Sequence, residues 1–174
     1  MSSTFTTPIR VFKRNNPTND GTIAPDNTGA AIVSQQATFS GVAAAGAIST
    51  TKIGESTASA FVLPAGSIIS SVSLYETTAP SALADGVITV AVGGVTVGTI
   101  TPTVTVGGKI DMAFTATATA AAKAANIGTS DATVTFTWAR TSITGTLAGT
   151  FSVNYTARNQ DGSITPYCSG YTNS

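Results

Sequence analysis

The chain has 174 residues, of which only 9% are charged, and its eight basic residues balance its eight acidic ones. Globular proteins usually carry about 25% charged residues, and a chain without net charge has no long-range field to attract nucleic acid, an acidic substrate or an anionic membrane. The composition therefore predicts neither nucleic-acid nor membrane binding, and it favours a surface of Thr, Ser, Ala and Gly that meets other proteins closely.

Residues 1–30 are predicted to form an extended N-terminal arm. Pro17, Pro25 and the pair Asp20-Gly21 interrupt this segment too often for a long helix or a central strand. It has no uninterrupted apolar stretch typical of a secretory signal, so we expect synthesis in the cytoplasm. We expect the arm to reach another protein subunit, with Phe12 as its principal anchor. The alternative is an arm that folds back over its own domain. Its predicted partner-binding residues are Ile9, Arg10, Val11, Phe12, Lys13 and Arg14.

Residues 31–174 are predicted to form one β-sandwich domain with a polar C-terminal tail from about residue 160. The runs AFVLPAG (60–66) and SIISSVSLYET (67–77) are separated by a turn signal, and the second is predicted to place Ile68, Val72 and Leu74 on one face. Alternation with a period of two is typical of strands that are half buried against a core.

The stretch from Val87 to Thr119 predicts a hairpin with Gly93 and Gly94 at its tip, because glycine supplies the positive φ that such turns need. The expected pairs are Val92 with Val95, Val90 with Val97 and Ile88 with Thr99. One buried face is expected to contain Ile88, Val90, Val92, Val95 and Val97. A second hairpin is predicted around a three-residue loop, Gly107 to Lys109, since this register keeps one face apolar. It pairs Val106 with Ile110 and Val104 with Met112.

The Ala-rich segment TAAAKAANIG (119–128) predicts one short helix near 119–127, which ends before Gly128. The runs TVTFTWAR (133–140) and TFSVNYTA (150–157) alternate again. Because Trp138 is in phase with Val134 and Phe136, it is predicted to be a core residue and not a sugar-binding platform. Together these patterns predict an all-β fold, an antiparallel β-sandwich of about eight strands in jelly-roll or Greek-key order.

The sequence contains no recognisable catalytic or cofactor-binding arrangement. Without histidine there is no Ser-His-Asp or Cys-His pair and no imidazole metal ligand, and Cys168 has neither a resolving cysteine nor a base. The acidic residues are scattered and stand mostly in turn-like contexts, although a fold can bring two of them together as in a glycosidase. We predict no catalytic residue, no metal and no cofactor.

Three segments carry a resemblance: GTIAPDNTGAAIVSQQATFS (21–40), AFVLPAGSIISSVSLYET (60–77) and GTLAGTFSVNYTARNQDG (145–162). In these segments the chain resembles virion structural proteins of tailed bacteriophages, particularly small capsid decoration (cement) proteins. The resemblance implies a β-sandwich without catalysis, located on the capsid surface and bound to the major capsid protein. It also implies a homo-oligomer, usually a trimer at or near a capsid threefold axis.

Two functions of different class are compatible with these observations. The first is a structural protein that decorates and braces a phage capsid through an uncharged, β-rich surface. The second is a tail-tip or fibre module that binds host glycan, which requires exposed aromatic and polar side chains. Aromatic residues make up 7% of the chain, and most are in phase with the predicted core, so the composition favours decoration.

The purified protein is expected to show no turnover of glycosides, esters or peptides, because the chain lacks histidine, a paired acidic motif and a cofactor loop. A substrate screen with these three classes is the measurement. Turnover that disappears when one of the eight acidic residues is replaced would contradict the prediction.

Overall fold

A computed structural model describes residues 32–80, 86–104, 106, 108–140 and 145–156 of the chain. The predicted arm and C-terminal tail lie outside these residues. The described part contains one helix, α1 (Ala118–Ala125), and eleven strands that pair antiparallel. The strands are β1 (Ile32–Val42), β2 (Gly46–Ala47), β3 (Thr51–Lys52), β4 (Phe61–Leu63), β5 (Ile68–Thr78), β6 (Val87–Val92), β7 (Val95–Ile100), β8 (Lys109–Asp111), β9 (Ala113–Phe114), β10 (Ala132–Ala139) and β11 (Leu147–Thr156).

The strand order is that of a jelly roll. Sheet A has the order β3-β1-β11-β5-β8, and sheet B has the order β2-β10-β6-β7-β9, with β4 also paired to β10. For this comparison, β2 and β4 count as one position beside β10, and the short β3 and β9 are set aside. The chain then pairs β1 with β11, β2 and β4 with β10, β5 with β8, and β6 with β7. This nested pairing from the outermost strands inward confirms the predicted antiparallel β-sandwich.

Four phenylalanines connect the two sheets across the core. Phe151 of sheet A stacks on Phe136 of sheet B, with ring centroids 3.9 Å apart and planes 6° apart. Phe39 stacks on the other side of Phe151 at 4.7 Å, and Phe61 meets Phe136 edge-on at 5.6 Å. Trp138 is fully buried, so its predicted place in the core is confirmed.

The predicted hairpin tip between β6 and β7 is confirmed. Gly93 and Gly94 have φ angles of 56° and 82°, and Val92 lies opposite Val95. Val95 itself is only half buried, whereas it was predicted to be part of a buried face.

Past the tip, the predicted register of β7 is wrong by one residue. A β-bulge at Val97 places Gly98 opposite Val90 and shifts every later pair. The physical reason lies at Gly98, where a Cβ would sit 2.6 Å from the Met112 sulfur and 2.5 Å from a backbone oxygen. Only glycine fits at this point, so Val97 cannot take the position opposite Val90. The observed pairs are Val90 with Gly98 and Ile88 with Ile100.

A second bulge corrects the predicted face of β5. Ser70 is left without a partner on β11, and this extra residue changes the parity of the strand. Val72 and Leu74 point into the core as predicted, but the third core residue is Ile69 and not Ile68, which is half buried.

The predicted second hairpin, with its loop from Gly107 to Lys109, is wrong. Ile110 pairs with Leu74 of β5, and Val104 and Val106 are 52% and 54% exposed. The chain crosses here from sheet B, which contains β7, to sheet A, which contains β8. Pairing with a strand distant in sequence therefore replaces the local pairing that the apolar pattern indicated.

Glu76 bonds to both ends of this crossover, through its buried carboxylate at one end and its backbone N–H at the other. Glu76 is 4% exposed, and its two carboxylate oxygens accept hydrogen bonds from the backbone N–H of Thr103 at 2.9 Å and from its hydroxyl at 2.6 Å. The Glu76 N–H donates to the Gly108 carbonyl oxygen at 3.1 Å. A buried carboxylate is costly unless it is hydrogen-bonded, so this pairing fixes where the crossover begins and ends.

Helix α1 lies within the predicted range 119–127 apart from its first residue. Thr117 is its N-cap, whose hydroxyl oxygen accepts the Ala120 N–H at 3.3 Å. At the other end, the Lys123 ammonium donates to the Ile127 carbonyl oxygen, a favourable position for a cation near a helix C-terminus. The helix packs on β7 and buries Ala120.

Replacing Val90 with Asp should lower the free energy of unfolding by about 4 kcal/mol or more, because Val90 is 0% exposed and the new carboxylate would be buried without a partner. Thr89→Asp, one residue away on the outer side of the same strand, should cost about 1 kcal/mol or less. Urea unfolding of both variants is the measurement. A larger loss for Thr89→Asp would mean that the assignment of inner and outer faces is wrong.

Candidate interaction surface

The outer side of sheet B forms a continuous surface of small, uncharged side chains, here called the threonine face. Its residues alternate with the core positions of their strands and are exposed or half buried. They are Ala47, Val62, Val87, Thr89, Ala91, Thr96, Thr99, Ala113, Thr133, Thr135, Thr137 and Ala139.

Strand register aligns the threonine face into rows. The longest row crosses all five strands of the sheet path, from Ala47 through Thr137, Thr89 and Thr99 to Ala113. A neighbouring row contains Thr135, Ala91 and Thr96. Paired residues of adjacent strands lie about 4.5–5.5 Å apart, so the rows present regularly spaced hydroxyl and methyl groups.

The strands of sheet B contain no Asp, Glu, Lys or Arg at all. Charged residues stand just beyond both ends of β10: Asp131 before it and Arg140 after it, with the Arg140 guanidinium 5.0 Å from the Trp138 ring centroid. Desolvating a charge is costly, and the threonine face imposes no such cost on a protein that covers it. The face also offers no charge by which a polyanion would be attracted.

The outer side of sheet A has a different chemistry. Its serine, threonine and asparagine side chains bond to one another: the Asn154 amide donates to Ser71 Oγ at 2.9 Å, and the Ser34 and Ser152 hydroxyls are 3.2 Å apart. All charged residues within described strands belong to sheet A, namely Lys52, Glu76, Lys109 and Asp111. The two outer faces of the sandwich therefore differ in charge as well as in side-chain bonding.

An ion pair lies at the β8 edge of sheet A. The Lys109 ammonium is 2.7 Å from Asp111 Oδ1, and the fully buried Ser73 hydroxyl donates to the same carboxylate at 2.6 Å. The hydrogen bond from Lys109, and then that from Ser73, lower the pKa of Asp111 below its usual value. The hydrogen bond to Asp111 raises the pKa of Lys109. Tyr75, 41% exposed, lies on the neighbouring strand opposite Lys109.

A groove of about 240 Å³ lies at the edge of sheet B, where β2 and β4 leave a gap beside β10. Ile48 and Phe136 form its apolar lining, and Thr50 and Ser59 contribute polar groups. These polar groups already bond to one another and to nearby backbone: the Thr50 hydroxyl donates to the Ser59 carbonyl oxygen, and Ser59 Oγ accepts the Lys52 N–H. The groove thus has few polar atoms left to orient a small ligand.

Among the residues that the structure describes, no three His, Cys, Asp or Glu side chains lie close enough to hold a metal ion together. None of the described helical segments is long and apolar enough to cross a membrane. Asp131, which stands in the turn-like context TSDA, accepts the Ala65 N–H at 3.0 Å and joins the loop before β5 to the start of β10.

The residues predicted to bind a partner, Ile9, Arg10, Val11, Phe12, Lys13 and Arg14, lie outside the described residues, so their role stays a prediction. The threonine face could be predicted only in part from the sequence. The alternation of Thr133, Thr135 and Thr137 placed threonines on one side of β10, but the rows depend on the register of strands that are distant in sequence.

Comparison of the chain with protein-family models, with curated proteins and with solved structures found no match.

In a pH titration followed by NMR, the side chain of Asp111 should titrate with a midpoint below 3.8, its ordinary value. Because its folded pKa is lowered, the ion pair contributes to stability above about pH 3.8 and loses this contribution as pH falls through the lower folded value. Lys109→Met should move the midpoint upward, and Ser73→Ala should move it less. A midpoint unchanged by Lys109→Met would contradict the assignment.

Proposed function

We propose that this chain is a non-enzymatic virion structural protein, which decorates and stabilises the capsid of a tailed bacteriophage by binding the major capsid protein and its own copies. The observation that carries the proposal is the threonine face, a sheet surface without a single charged residue in its strands. In this proposal, the protein resides on the capsid surface as a homotrimer.

The chemistry of the threonine face favours protein contact. Threonine, alanine and valine lose little rotamer freedom on burial compared with lysine, arginine or glutamate. No ion has to be desolvated, and threonine hydroxyls can exchange water for backbone or side-chain partners across an interface. Such a face suits broad contact with a neighbouring subunit better than capture of one small charged molecule.

The segments that resemble decoration proteins also fall together in the fold. Segment 60–77 contains β4 and β5, and segment 145–162 contains β11. The end of segment 21–40 covers much of β1. The strands β1, β11 and β5 are adjacent in the middle of sheet A. Jelly rolls are also frequent among viral capsid proteins, which is an analogy at the level of fold.

A cyclic homo-oligomer is part of the proposal because the lone subunit has little surface charge. Interspersed charges normally keep a monomer soluble, and here 9% of the residues are charged. A closed ring covers the same patch on every subunit. Three copies would match the threefold axes that the resemblance implies.

The second candidate, a tail-tip or fibre module that binds host glycan, is favoured by the outer side of sheet A. Tyr75 is 41% exposed and lies opposite Lys109, with the Asp111 carboxylate on the same strand as Lys109. An aromatic ring beside charged hydrogen-bonding groups can bind a sugar. Label on the tail in electron micrographs, with glycan binding that is lost in Tyr75→Ala, would support this candidate over decoration.

The double variant Thr135→Lys/Thr137→Lys should no longer pellet with purified capsids of the phage that encodes the chain, because two ammonium groups would be buried in the interface. Its oligomeric mass should stay that of the unmodified protein. Both positions are exposed in the single chain, so the thermal melt should change little. The matched control is Thr38→Lys, an exposed threonine of sheet A. Light scattering and co-sedimentation are the measurements, and gold-labelled antibody on virions should mark the head.

If the double variant pellets with capsids as well as the unmodified protein does, the threonine face is not the capsid-binding surface. If Thr38→Lys alone abolishes binding, the interface belongs to sheet A.

A further inference from the structure

The outer edge of β1 has an open stretch at its beginning. The short strand β3 pairs only with Ala37 and Thr38, and the Ile53 N–H donates to the Gln36 carbonyl oxygen at 3.2 Å. Within the described part of the chain, no strand pairs with residues 32–35 on this side, although all four pair with β11 on the other. The first four of the eleven residues of β1 are therefore open to a further strand.

The direction of the backbone groups along this stretch follows from the Gln36 bond. In an antiparallel ladder, alternate residues direct both their N–H and their C=O to the same side. Gln36 directs its carbonyl toward β3, and the register of β1 is regular from Ile32 to Phe39. Ser34 and Ile32 have the same parity as Gln36, so their N–H and C=O groups face the open edge.

Apolar side chains accompany these backbone groups. Ile32 is 68% exposed, Val33 is 36% exposed, and Ile53, at the boundary with β3, is 63% exposed. Glu55 is exposed just beyond Ile53. Natural proteins usually protect a sheet edge with charges or by keeping it short. The open stretch of β1 contains no charged residue and exposes Ile32 and Val33, so it lacks this protection against an extended segment that adds a strand.

We propose that residues 9–14 of a second copy of this chain occupy the open edge as an added β-strand. The segment reads Ile9, Arg10, Val11, Phe12, Lys13, Arg14. An extended segment directs Ile9 and Val11 to one face and Phe12 to the other, so it offers apolar side chains both to Ile32 and to Val33, which lie on opposite faces of β1. Its basic side chains complement the charge of Glu55. Pro8, which cannot donate a ladder hydrogen bond, stands just before it, where a strand can begin.

The length of chain between donor segment and edge favours a second copy over the same chain. The described part begins at Ile32, the first residue of the edge itself. To return to its own edge, the segment would need residues 15–31 as a loop, and loops longer than about 12–15 residues without secondary structure are uncommon. Passing to a neighbour requires no such reversal, and repeated around a ring it links every copy.

The edge is tested with two variants of Ser34 in the full chain. Ser34→Pro removes the N–H that faces the open edge while leaving the bonds to β11, which belong to residues of the other parity. Ser34→Ala keeps that N–H and removes only the hydroxyl, which lies 3.2 Å from Ser152 Oγ. By light scattering, Ser34→Pro should have the mass of one chain and Ser34→Ala the oligomeric mass of the unmodified protein.

Deletion of residues 2–20 should produce the same monomer with a nearly unchanged thermal melt. An oligomeric Ser34→Pro protein, an oligomeric deletion variant, or an unmodified protein that is already monomeric at micromolar concentration would each overturn the inference. These outcomes are independent of capsid binding through the threonine face, which the variants at Thr135 and Thr137 test separately.

Cross-linking identifies the occupant even if Ser34→Pro fails to fold. In a Cys168→Ser background, single variants Ser34→Cys and Val11→Cys are mixed, dissociated and reassembled, then treated with a short bis-maleimide reagent. Dimers containing one chain of each kind support the proposal. A chain carrying both cysteines that cross-links only within itself means that the arm covers its own edge, and it overturns the proposal.

Discussion

The stacking of Phe136 on Phe151 is the contact on which the two-sheet arrangement depends. The Phe136 ring belongs to β10 of sheet B and the Phe151 ring to β11 of sheet A, and the two lie nearly parallel with centroids 3.9 Å apart. Phe39 stacks on Phe151, and Phe61 meets Phe136 edge-on. Aromatic pairs of this kind contribute about 0.5–1.5 kcal/mol beyond the burial of their area. Once these rings point inward, strand alternation requires the threonines of β10 and the polar residues of β11 to point outward.

The two outer faces that result have different chemistry. Sheet B has no charged residue in its strands, whereas Lys52, Lys109 and Asp111 belong to sheet A. On sheet A, serine, asparagine and aspartate side chains satisfy one another within the surface. On sheet B, no bond between the threonine side chains of β10 and those of the neighbouring strands is present among the described residues, so their hydroxyls remain available to water or to a partner. A chain with few charges thus keeps one face free of them.

The two edges of sheet A also differ in charge. At the β8 edge, three residues and an exposed ion pair cover the middle of β5, and charge at an edge discourages further pairing. At the β1 edge, the covering strand β3 has two residues, and Ile32 and Val33 remain exposed beyond it. Among the described residues, sheet A therefore has one protected edge and one open edge, and the open edge is separate from the threonine face of sheet B.

Features that depend on neighbours along the chain could be predicted from the amino-acid sequence. Alternation placed Phe136 and Trp138 in the core, the Gly93-Gly94 pair set a hairpin tip through its positive φ angles, and the alanine run gave α1. The tertiary structure alone decided where parity changes and which distant segments meet. The bulge opposite Val90 follows from the close approach of Met112 to Gly98. The crossover after β7 follows from the bonds between Glu76 and Thr103, which are 27 residues apart. Both correct an apolar pattern that looked like local pairing, because a two-residue period records which side a residue faces but not which strand it meets.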